Sequence, residues 1–223
     1  INEWYPEGTN MNQFYKYMAG YMIGHSSLTA EQAALDTISS FGMQVSNQML
    51  KTIFRCSEPL DWMVRMYYRE KVVQTLADAG LELWLLGRGW ENHPAAGYLN
   101  VHRIDDRIPL ADTLPYIADA KININVMPWF KSGSHERIFN IFLNHSLPLT
   151  DYSSWVDENF IAGEEIAFYD LEHLERLPDI AKELLGDEER ATAMIQKGYE
   201  KTVRNHTWKN RVDQIFEAVE RVS

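Results

Sequence analysis

The 223-residue sequence is short of cysteine, of long apolar runs and of basic residues. Its single cysteine, Cys56, cannot form a disulfide within the chain, which fits a reducing compartment and predicts a cytoplasmic location. No stretch of about 18 uncharged apolar residues occurs, and no charged segment leads into an apolar one, so we expect neither a transmembrane segment nor a signal peptide. Hydrophobic residues still make up 45% of the chain, enough for a buried core.

Acidic residues outnumber basic ones, and the excess lies near the C-terminus. The chain has 32 Asp and Glu against 21 Lys and Arg, a formal net charge of −11. Residues 151–223 carry 17 acidic and 9 basic side chains, whereas residues 1–57 carry 4 and 3 and residues 58–150 carry 11 and 9. No region has the basic surface that nucleic acid requires, so we expect no nucleic-acid partner. Any anionic ligand has to be held by a local pocket.

Residues 1–57 contain few charges, and their apolar residues follow a helical spacing. We expect one helix around Met11 to Tyr21, a second that starts at Thr29, and a third over Met43 to Phe54 after Gly42. Because the chain does not begin with methionine, we interpret residues 1–57 as a helical linker or the remnant of a preceding region. The alternative is that these helices only cover a core surface.

From Ser57 onward, short apolar strands alternate with helices. Ser57-Glu58-Pro59 predicts the start of a long helix that ends before Gly80, and further helices are expected from about Leu114, with Pro115 in its first turn, and from about Ser134. The predicted strands are residues 81–86, 100–104, 121–126, 147–150 and 166–169. This order indicates an α/β fold: a Rossmann-like, doubly wound parallel sheet of about five strands. Such sheets bind ligands at the carboxyl ends of their strands.

The C-terminal residues are predicted to be helical. Asp170 starts a short helix, Pro178 begins another, and the segment from Asp187 to Asn205 continues as a third. The last helix has an apolar stripe at three- to four-residue spacing and is expected to pack against another surface. The stripe consists of Trp208, Val212, Ile215, Phe216, Val219 and Val222.

The loop after the third strand, residues 127–137 (MPWFKSGSHER), has the strongest chemical signal in the sequence. Gly133 frees the backbone, and its neighbours Ser132 and Ser134 are candidates to cap the helix that follows. The exposed amides of a helix start favour a phosphate group. The alternative interpretation is an ordinary strand-to-helix turn.

Charged and titratable side chains strengthen the phosphate interpretation of this loop. Lys131 and Arg137 add positive charge at the carboxyl end of a strand. His135 could contact a phosphate or a sugar, or it could cap the helix. Gly87-Arg88-Gly89 also follows a strand, but a short glycine turn is as compatible with a plain turn as with a ligand loop.

Five short segments resemble the glycosyl transferases group 1 domain. They are LGRGW (86–90), NINVMP (123–128), HERIF (135–139), LTDY (149–152) and HTW (206–208) followed by Arg211. The resemblance is greatest to the branch that includes spore maturation protein CgeB-like proteins, and it covers roughly residues 65–222 in order and spacing.

The resemblance implies a GT-B architecture, in which two Rossmann-like domains face each other across a cleft and the C-terminal one binds the nucleotide-sugar donor. Residues 58–223 are interpreted as that C-terminal domain, which would work with an N-terminal GT-B domain of the same full-length protein and an unknown acceptor. The implied reaction transfers a sugar from a nucleoside diphosphate sugar, without a metal or other cofactor. Asp105-Asp106 is a plain doublet and lacks the Asp-x-Asp spacing of metal-dependent transferases. Since about five strands make only one of the two sheets, we expect the chain alone to transfer no sugar.

The resemblance and the two loops together define a candidate site. The groups expected to stabilise the departing diphosphate are Arg88, Lys131 and Arg137. The residues expected to contact the substrate are Gly87, Gly89, Ser132, Gly133, Ser134, His135, Glu136 and Asn140.

The sequence departs from the family at two positions of this site. Where the family has a ribose-binding glutamate and a second glutamate eight residues earlier, this chain has Asn140 and Ser132. Asn140 could bind a ribose hydroxyl without charge, and only Glu136 offers a carboxylate nearby. These departures keep open an alternative function, a non-catalytic nucleotide- or glycan-binding module on the same fold.

Overall fold

The N-terminal third of the computed structural model, which describes residues 1–104 and 106–222, is helical. Its helices are α1 (Asn10–Gly24), α2 (Ala30–Ser40), α3 (Asn47–Cys56) and α4 (Glu58–Asp78). The side chain of Thr29 accepts a hydrogen bond from the amide of Gln32, which confirms the predicted start of α2. Helix α3 begins later than predicted because Ser46 caps it. Gly80 follows α4 with a φ of 75°, a left-handed conformation that favours glycine.

Strands and helices then alternate, as the sequence predicts. The elements are β1 (Leu83–Leu86), β2 (Val101–Ile104), α5 (Leu110–Asp119), β3 (Ile122–Asn125), α6 (Glu136–Leu143), β4 (Leu147–Asp151), α7 (Ser154–Asn159), β5 (Ala167–Tyr169), α8 (Leu177–Gly186), α9 (Glu188–Asn205) and α10 (Trp208–Val222). Short 3-10 helices cover Trp90–Asn92, Pro94–Gly97 and Leu174–Arg176.

The five predicted strands are present and pair in parallel, but they form two sheets. Strand β1 pairs with β2, with Leu83 opposite Val101. The second sheet has the order β3-β4-β5, with Ile122 opposite Leu147. The α/β, Rossmann-like fold class is therefore confirmed. In the described part of the chain, no hydrogen-bonded ladder joins β1 to β3. The single continuous sheet that the sequence predicts is therefore interrupted between these two strands.

Helices cover both faces of the three-stranded sheet. Ala167 and Tyr169 of β5 belong to a large apolar cluster that also contains buried residues of α1, α2, α4, α8 and α9. Phe168, between them, packs against a second cluster that includes Ile138 and Phe142 of α6. Because alternate residues of a strand point to opposite faces, the two clusters lie on opposite sides of the sheet. Helices α1 and α2 thus share a core with the strands.

Helix α5 starts earlier than the sequence predicts. It begins at Leu110 and not near Leu114, so Pro115 lies inside the helix and not in its first turn. Pro109 sets the start instead, because its fixed φ leads into the helix and its carbonyl accepts a hydrogen bond from the amide of Asp112. None of the residues of α5 is buried, so this helix lies on the surface.

The apolar stripe of α10 is present, but no residue of this helix is buried. Trp208 is 84% exposed and Phe216 is 64% exposed. The described part of the chain therefore does not supply the packing surface that was expected for this helix. Among the described helices, none is both long enough and apolar enough to cross a bilayer.

Candidate functional site

Three polar side chains lie buried where the strands of the three-stranded sheet end. Asn125, Asp151 and Tyr169 are the last residues of β3, β4 and β5, and each is at most 3% exposed. We call this end of the sheet the carboxyl edge. The segment from Met127 to His135, here the β3–α6 loop, starts beside it. Buried polar groups need hydrogen-bond partners. At this edge, Asn125 bonds to Arg137 at the start of α6, and Asp151 bonds to Met127 in the loop.

Asn125 binds three groups and fixes the position of Arg137. Its side-chain nitrogen donates to the hydroxyl of Thr150 at 2.9 Å, and its backbone carbonyl accepts the hydroxyl of Tyr169 at 2.9 Å. Its side-chain oxygen accepts a hydrogen bond from Nη1 of Arg137 at 2.6 Å. Since an amide oxygen is neutral, this bond orients the guanidinium without neutralising its charge.

Asp151 holds the start of the β3–α6 loop. One carboxylate oxygen accepts the amide of Met127 at 2.7 Å. Burial raises the pKa of Asp151 to about 7, and the Met127 amide together with the charges of Lys131 and Arg137 opposes that rise. Burial also raises the pKa of Tyr169 well above its ordinary value. The carboxyl of Asp151 is thus a weak counter-charge for the basic residues around it.

The segment between β4 and α7 braces the β3–α6 loop. The hydroxyl of Ser153 donates to the carbonyl of Gly133, and the amide of Ser154 donates to the carbonyl of Lys131 at 3.2 Å. Gly133 has no positive φ, so its role differs from the one expected. A β-carbon there would lie 3.2 Å from the ring of Phe130, and glycine permits this close approach.

His135 is the cap of α6, which starts at Glu136 and not at Ser134. Its Nδ1 accepts the amide of Arg137 at 3.1 Å. The same atom lies 3.3 Å from a carboxylate oxygen of Glu136, a pairing that would require a proton on Nδ1. Burial and the charge of Arg137 lower the pKa of His135, so the ring is neutral and accepts the amide. The expectation that a serine caps this helix is wrong, because the hydroxyl of Ser134 reaches only the carbonyl of His135 at 3.4 Å.

Free amides lie at the start of α6, and the charges of Lys131 and Arg137 both act on the buried Asp151. The side chain of Lys131 donates to the carbonyl of Ser26, in the turn between α1 and α2, and burial lowers its pKa. In the described part of the chain, the amides of residues 132–135 donate no hydrogen bond to the protein. Such amides at a helix start, next to a fixed guanidinium, form a site for an anion.

Gly87-Arg88-Gly89 lies at the carboxyl end of β1, in the other sheet. Both glycines have positive φ values, 109° and 99°, so the turn itself requires them. Arg88 is exposed over 71% of its side chain and lies 3.6 Å from the exposed Asp106. No contact among the described residues links Arg88 to Lys131 or Arg137. Asp105, the other half of the acidic doublet, lies outside the described residues.

The remaining candidates are placed around the start of α6. Ser132 and Glu136 are exposed, and Asn140 is half-buried one turn after Glu136. In the part of the chain that the structure describes, the side chain of Asn140 makes no hydrogen bond, although its carbonyl accepts the side chain of Asn144 at 2.8 Å. Glu136 and Asn140 therefore lie on one face of α6, and Ser132 lies in the loop before it.

Sequence reasoning missed Asn125 and Asp151, and it also missed Arg69 of α4. Burial lowers the pKa of Arg69, a half-buried residue whose positive charge lowers the pKa values of Arg137 and His135 in turn. One signal was present in the sequence, since Arg65 and Arg69 are spaced to lie on one face of a helix. The guanidinium of Arg65 lies 4.7 Å from the ring centre of Trp129 in the loop.

Comparison with known proteins supports the resemblance found in the sequence. Neither a curated protein nor a solved structure matches the chain. The closer likeness to the CgeB-like branch stays a prediction. The model of the glycosyl transferase-like family matches residues 68–217, which are more than half of the chain and include both candidate loops and the carboxyl edge, and the chain therefore belongs to that family.

Proposed function

We propose that this chain is the donor-binding domain of a glycosyltransferase and holds a nucleoside diphosphate sugar at the carboxyl edge of the three-stranded sheet. The observation that carries the proposal is the state of Arg137. Its guanidinium is fixed by the neutral side-chain oxygen of Asn125 and forms no salt bridge with any described residue. A positioned, uncompensated guanidinium is suited to a phosphate group.

The chemical demand in glycosyl transfer is the negative charge that grows on the departing diphosphate. Groups that are already in position stabilise such charge without rearrangement. Arg137, Lys131 and the free amides of Gly133 to His135 supply two cations and several donors within a few residues. Arg88, with Gly87 and Gly89, contributes from the neighbouring edge and with less energy, because its side chain is largely in water.

The sugar and nucleoside ends of the donor are assigned to the polar residues on both sides of the loop. Asn140 binds a ribose hydroxyl through its unoccupied side-chain amide, and Ser132 and Glu136 contact the transferred sugar. Glu136 is the carboxylate nearest to the loop amides in the sequence, and its exposure leaves it free to turn toward a ligand.

A ligand panel tests the donor proposal. A ligand that binds only the folded chain raises its melting temperature by mass action. UDP, GDP, ADP and CMP are each compared with their parent nucleosides in thermal-shift measurements. We expect one nucleoside diphosphate to raise the melting temperature, and its nucleoside to raise it less. An equal shift by the nucleoside alone would refute a diphosphate site.

Transfer itself requires a second domain in this proposal. The five strands of the described residues, in sheets of two and three, are too few for two Rossmann-like domains, so we propose that an N-terminal GT-B domain of the full-length protein brings the acceptor to the carboxyl edge. Holding both reactants in register supplies about 7–11 kcal/mol of the barrier reduction in favourable cases. The chain incubated with a bound nucleotide sugar and an acceptor panel should give background hydrolysis only, and a glycosylated product would overturn this part.

The two missing glutamates favour a second candidate, a nucleotide- or glycan-binding module without catalysis. Ser132 and Asn140 carry no charge at the positions concerned. The two candidates differ in a single measurement on the full-length protein, the appearance of a glycosylated product. Donor binding without any transfer by that protein would favour the module.

A further inference from the structure

We propose that Arg69 of α4 is the second guanidinium of the anion site and clamps the diphosphate together with Arg137. This inference rests on the proposed function. It adds to the site a residue from a helix that precedes the first strand, about 60 positions before the loop in the chain. It also names what the clamp binds: two adjacent phosphate groups, each facing one planar guanidinium.

The face of α4 that carries Arg69 lies along the β3–α6 loop. Asp61, Arg65 and Arg69 follow one another at four-residue intervals, so they form one row on the helix. Arg65 is held in the middle of this row, because it pairs with Asp61 and its guanidinium lies 4.7 Å from the ring centre of Trp129. Arg69 comes one turn later on the same face, and its charge acts on His135 and Arg137 at the start of α6.

Arg69 and Arg65 differ in the partners that the protein offers to their side chains. Arg65 has an acidic partner in its own row, whereas the side chain of Arg69 forms no salt bridge or hydrogen bond with any of the residues described. A half-buried charge without a partner is costly. The cost is reduced when a ligand of opposite charge binds there, so the absence of a protein partner indicates an anionic ligand.

The neighbourhood of Arg69 adds like charge and not compensation. Its positive charge lowers the pKa of Arg137, second only to burial, and also lowers the pKa of His135. The acidic groups that act on Arg137 are Glu136, which is exposed, and Asp151, whose pKa is raised to about 7. Two guanidiniums that repel each other without a strong counter-charge are stabilised by a dianion that lies between them.

The geometry favours a diphosphate over a single carboxylate. Each guanidinium can donate two parallel hydrogen bonds to a phosphate, and the free amides of residues 132–135 add donors at the helix start. The neutral ring of His135 accepts the Arg137 amide at Nδ1, so its proton is on Nε2. This donor set exceeds what one carboxylate group uses.

The test compares Arg69→Ala with Arg55→Ala. Arg55 is an exposed residue in the last turn of α3, so its replacement changes the net charge equally without touching the site. Affinity for the nucleoside diphosphate found in the ligand panel, and for inorganic pyrophosphate, is measured by calorimetry. We expect Arg69→Ala to weaken both about tenfold or more, and Arg55→Ala to weaken them less than about twofold. Arg69→Lys should restore only part of the loss, because an ammonium lacks the planar fork.

A second readout separates a clamp from a merely structural residue. Without ligand, Arg69→Ala should melt at the same temperature as the original chain or higher, since repulsion of Arg137 is removed. A lower melting temperature with unchanged affinities would assign Arg69 to the fold and overturn the inference.

The remaining outcomes distinguish the clamp from the proposed function. If the nucleoside diphosphate binds Arg69→Ala as well as it binds the original chain, the clamp is wrong and the function stands. If only pyrophosphate binds, and Arg69→Ala loses it, the clamp stands and the donor function fails. If neither ligand binds the original chain, both proposals fail.

Discussion

The two sheets have carboxyl ends of opposite character. At the end of β3-β4-β5, Asn125 and Asp151 are almost fully buried and connect by hydrogen bonds to the loop that follows. At the end of β1, Arg88 and Asp106 are 71% and 83% exposed and lie 3.6 Å apart. The same sequence signal occurs at both ends: a strand is followed by a loop that contains glycine and a basic residue.

The difference shows that a basic residue after a strand is suited to bind a ligand only when buried groups of the protein hold it in position. Arg137 is bound by a buried amide, and its loop is braced by Ser153 and Ser154 of the next segment. Arg88 has one exposed partner, and a surface pair of this kind contributes about 1 kcal/mol or less.

The largest effect is expected from the buried carboxyl. The pKa of Asp151 is about 7 in the folded chain, above the ordinary 3.8, so the folded state binds this proton more tightly than the unfolded state does. The stability that Asp151 contributes is present below pH about 4 and is lost as the pH rises through about 7. The free energy of unfolding of Asp151→Asn should be close to that of the original chain at pH 4 and exceed it at pH 8 by about 4 kcal/mol.

Denaturant unfolding at several pH values measures this difference. His206, whose pKa burial lowers to about 4, has the opposite pH dependence up to about pH 6.5, but it is present in both proteins and cancels in the comparison. The exposed Asp106 provides the control at the other edge, and Asp106→Asn should run parallel to the original chain. A pH-independent difference for Asp151→Asn would contradict the burial argument.

The next effect concerns the two arginines. Arg137→Ala should weaken nucleoside diphosphate binding by about 1.5–3 kcal/mol, the range for hydrogen bonds to charged groups. Arg88→Ala should weaken it by less than about 1 kcal/mol, because that side chain stays in water. Calorimetric titration of both variants provides the comparison. Equal losses would mean that the two ends act as one site and that bracing is irrelevant.

Local signals in the sequence predicted most of the fold. Thr29, Gly80, Pro178 and Asp187 mark helix ends through their own backbone or side-chain chemistry, and such effects act within a few residues. The start of α5 was misplaced because two prolines competed for the same role. The division between the two sheets could not be predicted, since strand pairing joins segments that are far apart in the chain.

The candidate site was predictable only where it is continuous in sequence. Lys131 and Arg137 were found because they lie in one short loop with Gly133. Asn125 and Asp151 were missed, although each is the last residue of a strand, because their role depends on contacts across 12 and 24 positions. The role of Arg69 depends on how α4 lies against the loop.

The domain limit at residue 57 and the cytoplasmic location stay predictions.

The third prediction concerns stability and the packing contact between α6 and α9. A β-carbon at Gly198 of α9 would lie 2.1 Å from Cε1 of the fully buried Phe142, on the helix that carries Arg137. Gly198→Ala should therefore destabilise the chain by about 1–3 kcal/mol through overpacking. Gly97, near the two-stranded sheet, has open space around it, and Gly97→Ala should change stability by less than about 0.5 kcal/mol. Equal unfolding free energies for the two variants would show that α6 is not held by this contact.

The smallest effect is expected from the brace itself. Ser153 is fully buried, its oxygen accepts the amide of Val156 at 3.4 Å, and its hydroxyl donates to the carbonyl of Gly133. Ser153→Ala removes both bonds and should cost about 1 kcal/mol of stability, typical for a lost helix cap.

The clearer consequence of Ser153→Ala is local. Of the two bonds from the β4–α7 segment to the β3–α6 loop, only the one from the Ser154 amide then remains, and the loop comes to resemble the loop after β1. Hydrogen–deuterium exchange should accelerate at the hydrogen-bonded amides of Phe130 and Ser154 and stay unchanged at the hydrogen-bonded amide of Gly87. Ser134→Ala is the matched control, since that hydroxyl makes only a long bond to the adjacent carbonyl and should leave exchange at all three amides unchanged. If Ser153→Ala left exchange at Phe130 and Ser154 unchanged, the loop would owe its order to Asp151 and Ser154, and the bond from Ser153 would have no part in placing the anion site.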